Sequence, residues 1–519
     1  MAVTVAKRYK ALETKREPFL RRAREAAKLT IPTLIPPSEG FSPDNIEYPN
    51  QIQGSMGVNN LANSLLLAML PPNQPCCRHV LRGVALDQLD KEIKAELDAV
   101  LATREVRMLE EIELLGIRHV LGMALKQLLV AGNCLLYLHR EGLRLYTMNQ
   151  YTVNRSGSGE VLEVVVKELV SPLLLPPEVC PACGVTIPKP EDEKDVEVYT
   201  YIYREGDMVH SFQEIKDHEV PGSNASYPVD QSPWMALWLY PSQGQDYSYG
   251  YVDQYLGDLI RADVLSQVLS EGSAAAAKVV FLNDPSGLTK TKDVTGARNG
   301  EVVSGRAQDI ATLQVAKAMD FNVAKAELES IERRLGIVFL RHTAVQRSGE
   351  RVTAEEIRWV ASEIDKGMGG EYTVMAQFVM RPLIMALTLQ MERDKKIAPL
   401  PKDSITVEII TGIEALGRSQ ELEKLRTTLM LLRETIGEEE TKRLLSTPKL
   451  ALRVANGLNF DLSDVIKSDE EMQADMEREQ AMQMAQAMAP QMARSMSMES
   501  GEGADDDLGD IPDDGVRIE

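Results

Sequence analysis

Ala344–Glu363 reads AVQRSGERVTAEEIRWVASE, and its interpretation decides how the chain is organised. Thr353 is placed to cap a helix, and Glu356, three residues on, can return a bond to the Thr353 amide; this capping box starts a helix near Ala354. Ile357, Val360, Ala361 and Ile364 then recur at helical spacing. The preceding pattern, from about Val323 to Ala344, is helical as well. Between the two lies a short loop containing Gln346, Arg347, Ser348, Gly349, Glu350 and Arg351, which presents two cations, one anion and a flexible glycine. Local physics therefore predicts two helices joined by a projecting charged loop.

Upstream, Met235–Leu239 has the pattern of a strand, and a helix is expected from about Asp253 to Val280, about 40 Å long at 1.5 Å per residue. Ala274–Ala277 near its end either leaves a bulk-free face for a close neighbour or reflects high helix propensity. Asn283–Gly287 is expected to end this helix, and Leu288–Asp320, with Gly296, Gly300 and Gly305, to form a small mixed excursion. Two long helices thus bracket one compact insertion. The first 150 residues read as helices over Val5–Lys28, Gly57–Leu70, Asp87–Leu115 and His119–Val130, broken by Pro32, Pro36, Pro37, Pro71 and Pro72. Leu135–Leu138, Leu143–Met148, Val161–Leu169 and Val196–Tyr203 read as strands of a small antiparallel sheet, with Ser156–Gly159 as a turn.

Downstream, Thr353–Glu392 is expected as a helix bent at Gly367–Gly370 and near Pro382, followed by a strand at Ile405–Ile410 and amphipathic helices over Glu414–Leu462. Eight methionines between Met472 and Met498, among Ala and Gln, make a helix-competent stripe up to about Ala489. Gly501–Glu519 is acidic and rich in Gly and Asp, a composition expected to stay disordered.

The 519 residues exceed what one core usually supports, so more than one packed unit is expected. The charged N-terminal segment lacks an apolar stretch, and runs such as Leu65–Leu70 fall far short of the roughly 20 residues needed to cross a bilayer; the chain reads as cytosolic with no membrane partner. Five cysteines, two of them adjacent, fit a reducing compartment. The net charge of −21 argues against a general nucleic-acid binder, but its distribution is uneven. Asp469–Glu519 has 15 acids and 3 bases, whereas Lys278–Arg358 has 13 bases and 11 acids. Ordinary solvated helix charges account for such a near-neutral count.

No Walker A, HExxH, GxSxG or GxGxxG pattern occurs, and neither an enzymatic activity nor a cofactor is expected. Glu350, Glu355 and Glu356 are grouped as carboxylates of a metal-dependent nuclease might be, but acids in a first helical turn normally serve capping and the helix dipole. Cys180-Pro-Ala-Cys183 is the one metal-like element: a knuckle for zinc that needs two further ligands, with His210 and His218 following and no second knuckle present. Zinc is therefore expected to be absent or substoichiometric. Trp234, Trp238 and Trp359 lie in apolar patterns and are expected in the core.

The loop and its helix resemble the tunnel loop and following long helix of portal proteins, the head-to-tail connectors of short-tailed phages of the Autographiviridae type. Leu29–Pro37, Gly57–Pro72, Ala124–Leu138, Tyr249–Leu259, Val302–Gln314 and Ile409–Leu425 resemble that family in the same order, from about residue 10 to about residue 470. Ser171–Val196 and the tail after Ser468 depart from it.

The resemblance implies an α+β, mainly helical portal fold with wing, stem, clip and crown. Its parts would be a wing of helices and a small antiparallel sheet (1–252), stem helix 1 (253–281), clip (282–321), stem helix 2 (322–345) and tunnel loop (346–352). A long kinked helix and strand returning to the wing (353–412), a crown (413–468) and a Met-rich helix or barrel with an acidic disordered tail (469–519) would follow. It also implies a homo-oligomeric ring, dodecameric in the family, at one capsid vertex of the virion, assembled in the host cytoplasm and passing double-stranded DNA during packaging and ejection. The tunnel loop, Gln346–Arg351, would face the DNA, and Lys278, Lys325, Arg333, Arg334 and Arg341 would line the stem. Lys290, Lys292, Arg298 and Arg306 would sit on the clip that docks the terminase large subunit and later the tail adaptor. Major capsid protein, scaffold and internal core proteins would be further partners. The alternatives are a metal-dependent DNA-processing enzyme, such as a nuclease, and an adaptor that forms no ring.

Overall fold

The computed structural model describes residues 4–36, 46–72, 76–81, 91–176, 178–185, 195–277, 280–313, 318–341, 364, 371–399, 405–409, 427–435 and 437. The chain divides into two compact units, Met1–Gly417 and Arg418–Glu519. In the second, 427–435 is a helix that exposes Met430 and Leu431. The tunnel loop, Lys278, Trp359, the expected capping box at Thr353, the glycines at 367–370 and the Met-rich tail lie outside the described residues.

The first unit is built on α1 (Val5–Lys28), α2 (Gln53–Met69), α3 (Lys91–Leu114) and α4 (Ile117–Ala131). In α1, Val5, Tyr9, Leu12, Arg16, Leu20 and Ala23 recur every three or four residues and form the buried face. Pro18 lies inside this helix, where its missing N–H and ring are costly, so burial of the turns on both sides must offset them. Helix α4 is buried along much of its length and shares one core with α2 and α9 (Glu371–Arg393), which contains Pro382. No single helix among the described residues is long and apolar enough to cross a membrane.

The expected small sheet is in fact two. Strand β2 (Asn133–His139) lies between β3 (Gly142–Tyr146) and β10 (Trp234–Trp238), antiparallel to both. The larger sheet runs β4 (Tyr151–Arg155), β5 (Val161–Val170), β6 (Val196–Glu205) and β7 (Met208–Ile215); β8 (His218–Glu219) and β9 (Ala225–Pro228) pair with β7. Helix α1 packs on this sheet through Tyr9 against Tyr199, ring centroids 5.7 Å apart. Arg16 ties the two together: its guanidinium donates to the Tyr9 hydroxyl at 3.0 Å and to the Asn149 and Tyr151 carbonyls at 3.2 and 2.9 Å.

Trp234 and Trp238 are half-buried and packed against partners. Trp234 stacks on Tyr137 at 3.9 Å, and the Arg155 guanidinium lies 4.0 Å from the Trp238 ring centroid. A separate antiparallel pair joins β1 (Cys77–Leu81) to β13 (Ile405–Ile409), bringing residues more than 300 positions apart into register.

Candidate functional site

The bracketed insertion and its two helices are the site to which most of the sequence-identified residues belong. Helix α6 (Leu256–Ala277) follows a 3-10 turn at Tyr251–Tyr255. Helix α8 (Ala318–Val338) returns beside it. Arg334 donates to Asp258 at 3.2 Å near one end of the pair, and Phe321 lies against Gly272 near the other, so the helices run antiparallel. At 22 and 21 residues they are about 33 and 32 Å long.

The first helix is shorter than the expected 253–281 at both ends. Its start is wound tighter because Tyr251 and Tyr255 pack edge-on against Phe339, with ring centroids 6.1 and 6.3 Å away. Its end gives way to a strand, β11 (Val280–Asn283), which pairs with β12 (Ile310–Leu313). The turn at Asn283–Gly287 therefore ends that strand, not the helix. Ala274 and Ala275 are exposed, and the close helix approach occurs instead at Gly272.

The second helix begins before the expected residue 322 and closes before 345. The Arg341 N–H donates to the Gly336 carbonyl at 2.8 Å and the Leu340 N–H to Ile337 at 3.1 Å, with Leu340 left-handed at φ 55°. This is a Schellman closure with leucine where glycine is usual. Asn60 of α2 holds it in place, its amide donating to the Phe339 and Leu340 carbonyls at 3.0 and 3.1 Å. The sequence reading missed Asn60, whose only signal is a polar pair, Asn59-Asn60, inside an apolar helix.

Near the Phe339 end the pair is anchored in the main core through Leu259, Ala262, Ile331, Leu335 and Phe339. Along α6, Ile260, Val264 and Val268 are each about half exposed, 48%, 52% and 49%, and stand four residues apart on one face. Of the stem candidates, Lys325 pairs with Glu329 of its own helix at 4.0 Å and Arg334 with Asp258. Arg333 is exposed, and Arg341 is half-buried in the closing turn.

Within the insertion, Asp309 is the hub. Its carboxylate accepts from the Leu288 and Thr289 amides at 2.9 and 3.0 Å and from the Thr289 hydroxyl at 2.9 Å. That hydroxyl in turn accepts from the Arg306 N–H at 2.8 Å. Beyond this frame, Lys290, Lys292, Arg298 and Arg306 are all exposed, as are Leu288 and Val302. Lys290 and Lys292 stand at the start of α7 (Thr291–Gly296), which buries no side chain. The arrangement is a braced knob whose four exposed cations are matched in number by Asp284, Asp293, Glu301 and Asp309, with a partly apolar surface.

The Thr289 hydroxyl, more than any other group, holds the Asp309 carboxyl below the usual range. A lowered carboxyl contributes stability that is present above the unfolded-state value and is lost as pH falls through the folded one. Asp309→Ala is expected to accelerate amide exchange at Leu288 and Thr289 at neutral pH. In the parent protein those amides should become labile only as the pH drops below the ordinary carboxylate range.

Cys180 and Cys183 lie far along the chain from this knob, in a small cluster with Val179, Val185, Val198, Ile215 and Val220. His210 bonds to Ser226 at 2.7 Å, and His218 contributes its backbone oxygen, not its ring, near the Cys183 sulfur. Among the described residues no group of three or more His, Cys, Asp or Glu is placed to hold a metal ion.

The family model of the bacteriophage head to tail connecting protein matches residues 2–466. The chain is 35% identical over 485 residues to the portal protein of Escherichia phage T7, covering 92% of this chain and 90% of that relative. It is 36% identical over 486 residues to the portal protein of Enterobacteria phage T3, covering 91% and 90%. With the portal protein of Enterobacteria phage SP6 it shares 31% over 481 residues, 91% of both chains. The matched span stops where the Met-rich, acidic tail begins. A match of this extent, end to end through the helices and the insertion they bracket, identifies the chain as a member of the bacteriophage head-to-tail connecting proteins, together with these portal proteins.

Proposed function

We propose that this protein is the portal of a short-tailed phage: a ring at one capsid vertex through which double-stranded DNA is packaged and later ejected. The observation that carries this reading is the likeness to named portal proteins across nine-tenths of the chain. It favours a portal over the nuclease and over an adaptor without a ring, and with it a non-enzymatic mechanism.

In this reading α6 and α8 form the stem, expected over 253–281 and 322–345, with 282–321 the clip, 1–252 the wing and 413–468 the crown. The stripe of Ile260, Val264 and Val268 supports ring formation, because three half-exposed apolar side chains on one helix face gain most by packing against a neighbouring subunit. Twelve copies are expected from the portal resemblance. The long antiparallel pair would then surround the channel with scattered charges, several already neutralised in pairs, so that phosphates are not held at any one level.

The clip, braced internally by Asp309, presents Lys290, Lys292, Arg298 and Arg306 for exchangeable docking of the terminase large subunit and then the tail adaptor. Arg347 and Arg351, in the segment expected to be the tunnel loop, would reach toward DNA. Wing and crown would meet the major capsid protein, scaffold and internal core proteins, with assembly in the host cytoplasm. The Met-rich segment is expected to pack only when many copies are held around one axis, since a short isolated helix is marginal in water.

The direct test replaces both loop arginines. Arg347→Ala with Arg351→Ala should leave ring assembly at parent level, because neither is needed for the adjoining helices. Packaged DNA per particle, or its retention, should fall at least several-fold. Parent-level packaging and infectivity by the double variant would remove the DNA-contact role.

A further inference from the structure

The Cys-Pro-Ala-Cys element is not used by the portal reading, and its surroundings give it a chemistry of its own. It lies in the connection between β5 and β6, which runs from residue 171 to 195. Cys180 belongs to a single helical turn, α5 (Val179–Ala182), and Cys183 ends it. The turn is closed on both sides. The Cys183 N–H donates to the Val179 carbonyl at 2.9 Å, and the Val185 N–H reaches back to Cys180 at 2.8 Å across a left-handed Gly184 at φ 60°. Residues three apart on a helical turn have their Cα atoms about 5 Å apart, inside the range a disulfide spans.

Both thiols are free and only 2% and 0% exposed. Their environment is this chain's own Val179, Val185, Val198, Ile215 and Val220, which bury both sulfurs within the chain. That argues against a zinc shared between copies. The thiols donate to the Pro172 and His218 carbonyls at 3.9 and 4.0 Å, and carbonyl oxygens are not the thiolate or imidazole ligands a zinc site uses. What two thiols on one turn can do without further ligands is close on each other.

We propose that Cys180 and Cys183 are a redox-closable pair, forming an intrachain disulfide that locks the Val179–Val185 turn when the protein meets a small-molecule disulfide such as oxidised glutathione. One cysteine thiolate attacks the small disulfide and releases one small thiolate; the second cysteine thiolate displaces the other. The chain loses two protons and two electrons, and the small disulfide becomes two thiols. Burial pushes the Cys183 thiol up, with the neighbouring Cys180 adding to it, so the pair reacts slowly and is structural, not a turnover site. Access comes through local opening, because the pair and its five buried neighbours form a satellite cluster separate from the main core. If the portal reading holds, the protein passes from a reducing cytosol into a released particle, and the lock would close on that passage.

The test uses the purified full-length chain equilibrated across glutathione redox ratios, then denatured, labelled with a maleimide and mapped by peptide mass spectrometry. The expected result is a Cys180–Cys183 peptide lighter by two hydrogens and carrying no label, while Cys76, Cys77 and Cys134 remain labelled. The Cys77 thiol should stay out of exchange, since it is buried with its sulfur 3.3 Å from that of Met108. Protease cleavage within 171–195 should slow on the order of tenfold on oxidation, an effect absent in Cys183→Ser. In that variant Cys180 should hold a glutathione adduct that never resolves. The proposal is overturned if the native pair stays reduced or stops at the mixed disulfide under conditions that close the same pair in urea, or if elemental analysis finds one zinc per chain lost in Cys183→Ser. Ring formation is scored separately on the same samples, so failure of the lock and failure of the portal reading are told apart.

Discussion

Replacing Gly250 by alanine is expected to remove most of the folded protein, while the same change seven residues later at Gly257 leaves it unharmed. A Cβ at Gly250 would sit 2.2 Å from the Val130 carbonyl oxygen and 2.7 Å from that of Leu129. The crossing is tight from the other side too: Gly132 holds a left-handed φ of 74°, and a Cβ there would sit 2.4 Å from the Tyr249 carbonyl. Backbone faces backbone, so no side-chain rotation relieves the clash. The penalty should exceed about 4 kcal/mol, beyond the usual range of single substitutions. Gly257, near the start of α6, meets nothing within 4 Å and is not in the left-handed region, so alanine there should stabilise by about 0.5–1 kcal/mol. Soluble yield and the urea midpoint of each variant decide the matter; equal midpoints would show that the segment leading into α6 is not packed as described.

The second large effect is expected at Arg16. This side chain is only 3% exposed and serves the Tyr9 hydroxyl, the carbonyls of Asn149 and Tyr151, and Glu13 at 2.9 Å. Arg16→Ala strands the Tyr151 carbonyl beneath α1, leaves the Asn149 carbonyl to the Tyr9 hydroxyl at 3.2 Å, and opens a cavity, at a cost of about 3 kcal/mol. Arg16→Lys keeps the charge but not the planar fork whose two nitrogens reach the Tyr9, Asn149 and Tyr151 oxygens and Glu13 together, and should fall between parent and alanine. The readout is again the urea midpoint, with protease sensitivity of α1 as the local signal.

Arg16 also shows where sequence reasoning stops. The period of Val5, Tyr9, Leu12, Leu20 and Ala23 made α1 legible, even across Pro18, because a long apolar face outweighs one missing hydrogen bond. That a cation shares this face, and what it binds, depends on carbonyls more than 130 residues away. The strands show the same division. β5 and β6 stood out through their β-branched and aromatic content, and β10 through alternation. β4 did not, since YTVNR is five residues long and runs straight into the Ser156–Gly159 turn.

Strand β13 was readable from ITVEI, but nothing local in its partner CRHVL announces a strand; the pairing exists because tertiary structure supplies it. For the functional site, the bracketing of one insertion by two long helices was legible, and so were the exposed cations on the knob. The helix ends were not. They are set by Tyr251 and Tyr255 packing on Phe339, and by Asn60 gripping a left-handed Leu340, contacts that join α6 and α8 to distant elements. The spacing of Cys180 and Cys183 was plain, but their burial among Val179, Val185, Val198, Ile215 and Val220 was not.

Ring assembly is the claim on which the channel, the stem stripe and the clip all depend. Native mass spectrometry of the purified protein, without ATP or added metal, tests it most directly, with particle images to show the hole. The account predicts closed rings, twelve copies by resemblance to portals, that weaken when Ile260, Val264 and Val268 are replaced together by polar residues. Monomers and dimers alone across a wide range of protein and salt concentration would contradict it.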